Sequence, residues 1–174
     1  MSSWNHHSTS GAIQAPLKEQ YRAEPAAALV TLKAEGRLGE GVSCSVATGR
    51  ALVEAGLHPS TGGSGLGACS GEMLLQALAA CAGVTLAAVA TALGIELRAG
   101  LVRAEGDLDF RGTLGVSKEV PVGFQRIRLR FELDTSASDE QLETLQRLTE
   151  RYCVVYQTLR NAPVIAVSRA VLPA

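Results

Sequence analysis

A run of apolar residues from about position 70 to 94 constrains the fold of this chain more than any other part of its sequence. It reads GEMLLQALAACAGVTLAAVATALG, with Ser70 placed to cap a helix ahead of Gly71 and Gly94 placed to end it after Leu93. After the first turn the polar residues are only Gln76, Thr85 and Thr91. Such a helix must be covered by protein on nearly all sides. One chain of 174 residues can hardly supply that cover, which favours a dimer.

The same run is long enough to be considered as a membrane span, which takes about 20 predominantly apolar residues. It is rich in alanine and is interrupted by Gln76, Gly83 and two threonines. We therefore interpret it as a buried helix of a folded domain and not as a membrane span.

Segments with strand-like patterns flank the helix on both sides. Residues 27–37 and 42–53 predict an N-terminal meander, because apolar and polar residues alternate there and glycine-rich breaks follow. The segment HPSTGGSGLGACSG then leads into the helix and is typical of a flexible loop beside a site. Residues 101–112 and 123–134 predict two long strands after the helix.

Charged and apolar residues alternate strictly in the last of these strands. The apolar set is Ile127, Leu129, Phe131 and Leu133, and the charged set is Arg126, Arg128, Arg130 and Glu132. One face is therefore predicted to lie on the core and the other in water. Acids at positions 105, 107 and 109 of the preceding strand favour cross-strand ion pairs over an anion-binding patch.

The C-terminal part predicts two helices and a last strand. Ser138 is placed to cap a helix whose first turn contains Asp139 and Glu140. The buried face of this helix is predicted from Leu142, Leu145, Leu148 and Tyr152. A short helical piece at residues 154–160 and a strand at 164–171 follow. The order of these elements predicts an α+β fold in which antiparallel strands surround a buried central helix.

Charge and composition exclude several classes of partner. The chain carries 16 Lys and Arg against 17 Asp and Glu, a net charge of −1, so no overall field draws it to nucleic acid or to an anionic membrane. The polar N-terminus lacks a secretion signal, so we expect a cytoplasmic location, a flexible arm at residues 1–26 and one domain at 27–174. The adjacent His6 and His7 in this arm are more typical of solvated residues than of a metal site.

Four cysteines, Cys44, Cys69, Cys81 and Cys153, occur without any CxxC spacing. A zinc ribbon or thioredoxin motif is therefore excluded as a local pattern, and a reducing compartment disfavours a framework of structural disulfides. Cys81 in the alanine-rich helix and Cys153 at a helix junction are each compatible with a small side chain that fills the core. Free main-chain N–H groups near Cys153 are equally compatible with a stabilised thiolate. The residues alone leave both interpretations open.

Two segments around these cysteines resemble the OsmC/Ohr family, the organic hydroperoxide resistance and osmotically inducible protein C-like proteins. GEMLLQALAACAGVTLAAVATALGI is similar to the family segment that leads into the first redox cysteine, and RYCVVYQTL is similar to the second-cysteine segment. The resemblance covers about residues 29–171. It implies an OsmC-like fold, with antiparallel sheets around a buried central helix, in an intertwined homodimer.

The resemblance also implies a thiol-dependent peroxidase without a cofactor or metal. In that chemistry Cys81 attacks an organic hydroperoxide and becomes a sulfenic acid, and Cys153 closes a disulfide with it. An external dithiol, such as a dihydrolipoyl protein, reduces this disulfide. The resemblance further assigns Arg50, held by Glu72, to the activation of the Cys81 thiolate. The plain alternative for Arg50 is a surface residue of a strand.

The sequence departs from the family pattern at two positions. Gly71 occupies the usual place of the acid and Glu72 the next, and a shift of one residue rotates a helical side chain by ~100°. Glu72 is therefore also compatible with a role at the helix start. Val154 replaces the usual proline after the second cysteine. These departures keep open a second hypothesis, a catalytically weak dimer that binds a small ligand or senses oxidation.

The remaining candidate side chains have plainer interpretations. Cys69 is an alternative resolving thiol, a role for which the resemblance gives no support, and Cys44 is more typical of a packing residue. His58 is more typical of a solvated turn residue than of a proton donor to the leaving alkoxide.

Overall fold

The computed structural model describes residues 23–24, 36–38, 43–47 and 52–171, with side chains for residues 23–24 and 52–171. In chain order the elements are β1 (Gly36–Leu38), β2 (Ser43–Ala47), β3 (Leu52–Gly56), β4 (Ala68–Cys69), α1 (Ser70–Leu93), β5 (Ala99–Leu108), α2 (Phe110–Thr113), β6 (Phe124–Asp134), α3 (Asp139–Tyr152) and α4 (Val154–Arg160). The predicted α+β class is confirmed. The arm predicted at residues 1–26 lies outside the described residues apart from 23–24.

The first sheet has the strand order β1-β2-β3-β4, antiparallel through β3 and parallel between β3 and β4. The prediction of a single strand over residues 42–53 is wrong, because Ala47 pairs with Leu52 and the chain reverses between them. Gly49 lies in this interval and is a turn signal that competes with the alternation. Of the strand predicted at residues 27–37, only positions 36 and 37 are described, and they lie in β1.

β5 and β6 form a second, antiparallel sheet, paired from Ala99 with Asp134 to Leu108 with Phe124. Apolar residues line one face and charged residues the other, as the alternation predicts. Gly106 lies beneath the ring of Phe124, and a Cβ added there would come within 2.4 Å of that ring. Only glycine leaves room for the aromatic side chain at this point.

The strand predicted at residues 101–112 is wrong at its C-terminal end. The Asp109 side chain accepts a hydrogen bond from the main-chain N–H of Arg111 (3.0 Å) and caps α2, so the chain leaves the sheet after Leu108. Aspartate is a preferred N-cap residue, and this local signal competes with the strand-like alternation around it.

Cross-strand ion pairs cover the exposed face of the β5–β6 sheet, as predicted. They join Arg128 to Glu105 and to Asp107, and Arg103 to Glu132. The hydrogen bonds from Arg128 lower the pKa of Asp107 below its usual range. Asp109 does not join this network. It pairs with Arg111, in the connection that follows β5.

Helix α1 begins one residue earlier than predicted. Cys69 is the N-cap and Ser70 the first helical residue, so the prediction of Ser70 as the cap is wrong. The pairing of β4 with β3 already holds Cys69 in the extended conformation that an N-cap needs. Gly94 ends the helix as predicted, in the left-handed conformation (φ 68°), and the N–H of Ile95 donates to the carbonyl of Ala90 (2.9 Å).

Within the single chain, α1 is buried along one side only. The buried residues are Leu78, Ala82, Leu86 and Ala90, and this side packs on β5, α3 and α4. The outer stripe, on the opposite side, consists of the exposed residues Ala77, Ala80, Val84 and Ala87. Val84 is 74% exposed. By length and composition α1 could also cross a membrane, a test that the core helix of a soluble protein passes as well.

Helix α3 begins with the predicted cap. The Ser138 hydroxyl accepts from the N–H of Gln141 (3.3 Å), and the Gln141 side chain accepts from the N–H of Ser138 (2.9 Å), which completes a capping box. The buried and half-buried residues include Leu142, Leu145, Leu148 and Thr149. Tyr152, predicted on the buried face, is 59% exposed. The helix ends at Tyr152 and the chain turns at Cys153 into α4, so the helical period no longer decides burial there.

Residues 164–171 are not a strand, contrary to the prediction. Within the described chain no strand pairs with them, and an extended segment becomes a strand only when a neighbour satisfies its main-chain groups. Their large apolar side chains are exposed: Val164, Ile165, Val167 and Val171. The β-branched composition of this segment favours an extended backbone, but it does not supply a partner strand.

Candidate functional site: a pair of thiols

The structure brings Cys81 and Cys153 together where α1 packs on α4. Cys81 is half-buried on α1, and Cys153, only 1% exposed, is the single residue between α3 and α4. Both are free thiols, and the Cys153 thiol donates a hydrogen bond to the Cys81 sulfur.

The surroundings of Cys81 favour its thiolate. Burial raises the pKa of this thiol, but hydrogen bonds to its sulfur outweigh burial and lower the pKa below its ordinary value. The donors are the main-chain N–H of Val155, the Cys153 thiol, the main-chain N–H of Val154 and the Thr85 hydroxyl. Cys81 is therefore the thiol of the pair that ionises first, and it is also the more exposed.

The surroundings of Cys153 act in the opposite direction. Burial raises the pKa of Cys153, the N–H groups of Tyr156 and Val155 oppose that effect, and the neighbouring Cys81 raises the pKa further. The net shift is upward. Cys153 therefore stays protonated while Cys81 is a thiolate, so the two cysteines are chemically different.

Three donors to Cys81 were not among the predicted site residues. Thr85 follows Cys81 by four positions and so lies on the same face of α1, a signal that the sequence does carry. Val154 and Val155 act through their main-chain N–H groups, which any residue at the start of α4 offers, so their side chains give no signal.

A group of side chains, the joint cluster, spans the turn between α3 and α4. The Glu150 carboxylate accepts from the Tyr156 hydroxyl (3.2 Å) and from the Gln146 amide (2.9 Å). The main-chain carbonyl of Glu150 accepts from the Gln157 amide (2.8 Å). Arg160 in turn donates to the Tyr156 hydroxyl oxygen (3.1 Å). The joint cluster thus encloses the stretch that contains Cys153.

The other two predicted site residues are not brought to the thiols within the described chain. Arg50 lies outside the described residues. Glu72 is exposed in the first turn of α1, nine residues before Cys81. In an α-helix this spacing is about 13 Å along the axis and about 180° around it. Glu72 therefore reaches Cys81 only through another group.

The remaining candidates occupy structural positions. His58 Nδ1 accepts from the N–H of Ser60 (3.1 Å), and its ring stacks on Phe110 with centroids 5.0 Å apart, which ties the glycine-rich loop to α2. Cys69 is a half-buried free thiol at the start of α1. Cys44 lies in β2, and its side chain is outside the described residues.

A cavity of about 430 Å³ lies between β6, α3 and α4. Its apolar lining includes Leu78, Phe124, Ile127, Leu129, Phe131 and Leu159. Leu78, one helical turn before Cys81, and Tyr156 of the joint cluster line the cavity, whereas neither cysteine of the pair does. Among the described residues, no group of three or more His, Cys, Asp or Glu is placed to hold a metal ion.

The site is thus a half-buried thiol with a lowered pKa beside a buried thiol with a raised pKa, in an α+β fold. The chain belongs to the family of OsmC-like proteins, whose family model matches residues 62–168. The matched region contains both cysteines of the pair, and the resemblance stated from the sequence is confirmed. Comparison with curated proteins finds no match to the sequence.

Solved structures share the fold. An OsmC-like protein from Mycoplasma pneumoniae is 19% identical with a TM-score of 0.65, covering 76% of this chain and 89% of that chain. An organic hydroperoxide resistance protein OsmC from Legionella pneumophila is 20% identical with a TM-score of 0.60, covering 77% and 92%. An organic hydroperoxide resistance protein from Elizabethkingia anophelis is 16% identical with a TM-score of 0.62, covering 77% and 91%. At these identities the likeness establishes the fold.

Proposed function

We propose that this protein is a thiol peroxidase that reduces organic hydroperoxides to alcohols through Cys81 and Cys153. The observation that carries the proposal is the contact between Cys81, whose pKa is lowered, and the buried Cys153 thiol. The thiolate is the nucleophilic form of cysteine, and a two-cysteine cycle needs a second thiol beside it. The similar folds of proteins named for organic hydroperoxide resistance agree with this proposal.

The proposed cycle has three steps. The Cys81 thiolate attacks the outer oxygen of the hydroperoxide, an S–O bond forms as the O–O bond breaks, and the alkoxide leaves and takes up a proton to become the alcohol. The Cys153 sulfur then attacks the Cys81 sulfur, and the hydroxyl leaves with the thiol proton as water. An external dithiol, such as a dihydrolipoyl group, reduces the disulfide by exchange. A cytoplasmic location suits this cycle, since thiol reductants are maintained there.

Disulfide mapping after exposure to cumene hydroperoxide tests the proposal. We expect mass spectrometry to find a Cys81–Cys153 disulfide and Cys81→Ser to abolish peroxide consumption. Cys69→Ser is the matched control, because Cys69 is also a half-buried free thiol and should not be needed. Unchanged turnover in Cys81→Ser would refute the proposed function.

We also propose that Arg50 and Glu72 complete the activation of Cys81. A guanidinium stays charged and can contact a carboxylate and a thiolate at once, so it can connect an acid to a sulfur that the acid cannot reach. Arg50→Ala and Glu72→Gln should then both slow the oxidation of Cys81, the first more than the second. If Cys81 is oxidised at the wild-type rate in both variants, the hydrogen-bond donors around Cys81 are sufficient for its activation and this proposal is wrong.

We propose further that the protein is an intertwined homodimer. The outer stripe of α1 is apolar and exposed in the single chain, and residues 164–171 carry exposed apolar side chains. A second copy is the partner that can cover both at once. Light scattering should give twice the 18.1 kDa chain mass. Val84→Glu should shift the protein toward monomer, whereas Gln76→Glu, an exposed polar position of α1, should not.

The cavity between β6, α3 and α4 supports a second candidate function, a catalytically weak dimer that binds a small ligand or senses oxidation. Its volume of about 430 Å³ lies in the range of small-molecule sites. This candidate predicts slow reaction of Cys81 with hydroperoxides and a ligand retained on purification. Native mass spectrometry together with the rate of Cys81 oxidation separates the two functions.

A further inference from the structure

We infer that Glu150 and Tyr156 are positioning residues that hold the Cys153 thiol against Cys81, an inference that rests on the proposed thiol cycle. Cys153 is the single non-helical residue between α3 and α4, with an extended backbone (φ −73°, ψ 109°). Its thiol therefore stands at a bend between two short rigid segments. The angle of that bend decides where the sulfur points.

Main-chain hydrogen bonds do not fix this angle. The N–H of Cys153 donates to the carbonyl of Thr149 (2.9 Å), and the N–H of Gln157 donates to the carbonyl of Cys153 (2.9 Å), so each bond stays within the turn of one helix. In the part of the chain that the structure describes, no main-chain hydrogen bond runs from α4 back to α3. Side chains must therefore set the angle.

Glu150 is the centre of the bonds that cross the bend. Tyr156 donates to its carboxylate and Gln157 to its main-chain carbonyl, so two residues of α4 are tied to one residue of α3. Arg160 donates to the Tyr156 oxygen, which leaves the hydroxyl hydrogen free to point at Glu150. Gln146 occupies the second carboxylate oxygen and fixes the rotation of the carboxylate.

Loosening this cluster should change the second chemical step more than the first. Disulfide closure requires the Cys153 sulfur to approach Cys81 along one direction, and a misdirected thiol lowers that rate without changing the hydroperoxide. The first step uses the Cys81 thiolate, whose donors at Val154 and Val155 lie in α4 but whose donor at Thr85 lies in α1, so this step should slow less than disulfide closure. The expected signature is therefore a sulfenic acid on Cys81 that persists for longer and is further oxidised to sulfinic acid.

Rapid-quench mass spectrometry with cumene hydroperoxide tests the inference. Tyr156→Phe removes one hydrogen bond of ordinary strength and should slow disulfide closure by about 2- to 10-fold, with a smaller change in sulfenic acid formation. Glu150→Ala should slow closure further, and Glu150→Gln, which keeps an acceptor for Tyr156, should recover part of the rate. Tyr152→Phe is the matched control, since its ring is exposed and its hydroxyl is outside the joint cluster. If the disulfide closes as fast in Tyr156→Phe and Glu150→Ala as it does in Tyr152→Phe, the inference is overturned.

Diamide separates a failure of this inference from a failure of the proposed function. The Cys81 thiolate adds to the N=N bond of diamide and forms a sulfur–nitrogen bond. The Cys153 sulfur then attacks the Cys81 sulfur, the sulfur–nitrogen bond breaks, and diamide leaves as the hydrazine, reduced by two electrons and carrying the Cys153 thiol proton. This closure needs no hydroperoxide, so a wild-type protein inert to peroxide still reports on positioning. The double variant Tyr156→Phe, Glu150→Ala should close no more slowly than Glu150→Ala alone, because both changes break the same link. Additive losses would indicate two unrelated structural effects and would also overturn the inference.

Discussion

Replacing Val154 by proline should raise the pKa of Cys81 by removing one hydrogen-bond donor. The N–H of Val154 is one of the groups that lower the pKa of that thiol, and proline has no N–H. The backbone accepts the change: Val154 is the first residue of α4, where proline is favoured, and Cys153 before it is already extended. The substitution therefore isolates a single donor.

The size of the effect follows from the strength of that donor. A hydrogen bond to a charged group contributes roughly 1.5 kcal/mol at the low end of its range. The low end applies because Cys81 keeps the Val155 and Thr85 donors and the contact with Cys153. Since about 1.4 kcal/mol corresponds to a factor of ten, the thiolate fraction on the acid side of the titration should fall about tenfold.

The pH dependence of Cys81 alkylation, followed by peptide mass spectrometry, measures this effect. Val154→Ala is the matched control, because it also removes the exposed side chain but keeps the N–H, and it should titrate like the wild type. If Val154→Pro is alkylated as fast as Val154→Ala at acid pH, the main-chain N–H does not stabilise the thiolate and the reasoning is refuted.

Three further predictions concern stability. Leu145→Ala should lower the free energy of unfolding by about 3 kcal/mol in urea titrations, because Leu145 is 1% exposed in the core, whereas Leu66→Ala, at a position 94% exposed, should change it little. Ser138→Ala removes the cap of α3 and should cost about 1 kcal/mol in the same assay. Because Arg128 lowers the pKa of Asp107 in the folded state, this carboxylate stabilises the fold above its unfolded pKa, and the contribution is lost as pH falls below about 4. Asp107→Asn should flatten that part of the pH–stability curve at low salt, and an unchanged curve would contradict the assignment.

Local signals were sufficient for much of the fold. The end of α1 at Gly94 and the capping box at Ser138 each depend on residues within one helical turn, and the sequence contains all of them. The ion pairs of β5 and β6 were also predictable, since the two strands carry opposite charges on one face. Glu105 and Arg128 pair directly, and the Arg128–Asp107 and Arg103–Glu132 pairs are diagonal.

Features that depend on distant parts of the chain were not predictable in this way. The segment at residues 164–171 is rich in β-branched residues like a strand, but strand formation depends on a pairing edge that no local pattern reveals. The pairing of Cys81 with Cys153 came from the family resemblance, because their contact is set by the packing of α1 on α4. The joint cluster was missed since Glu150 and Tyr156 look like ordinary surface residues until the bend at Cys153 brings them together.

The ion pairs on the outer face of β5 and β6 also determine how two copies can meet. Burying that face would strip water from several charged groups at once, at a cost of several kcal/mol per ion that the existing pairs do not recover. Contact through the outer stripe of α1 and residues 164–171 carries no comparable desolvation penalty, since those surfaces are mainly apolar. The charged sheet face therefore disfavours association through one side of the molecule, and that side should remain in solvent in the proposed dimer.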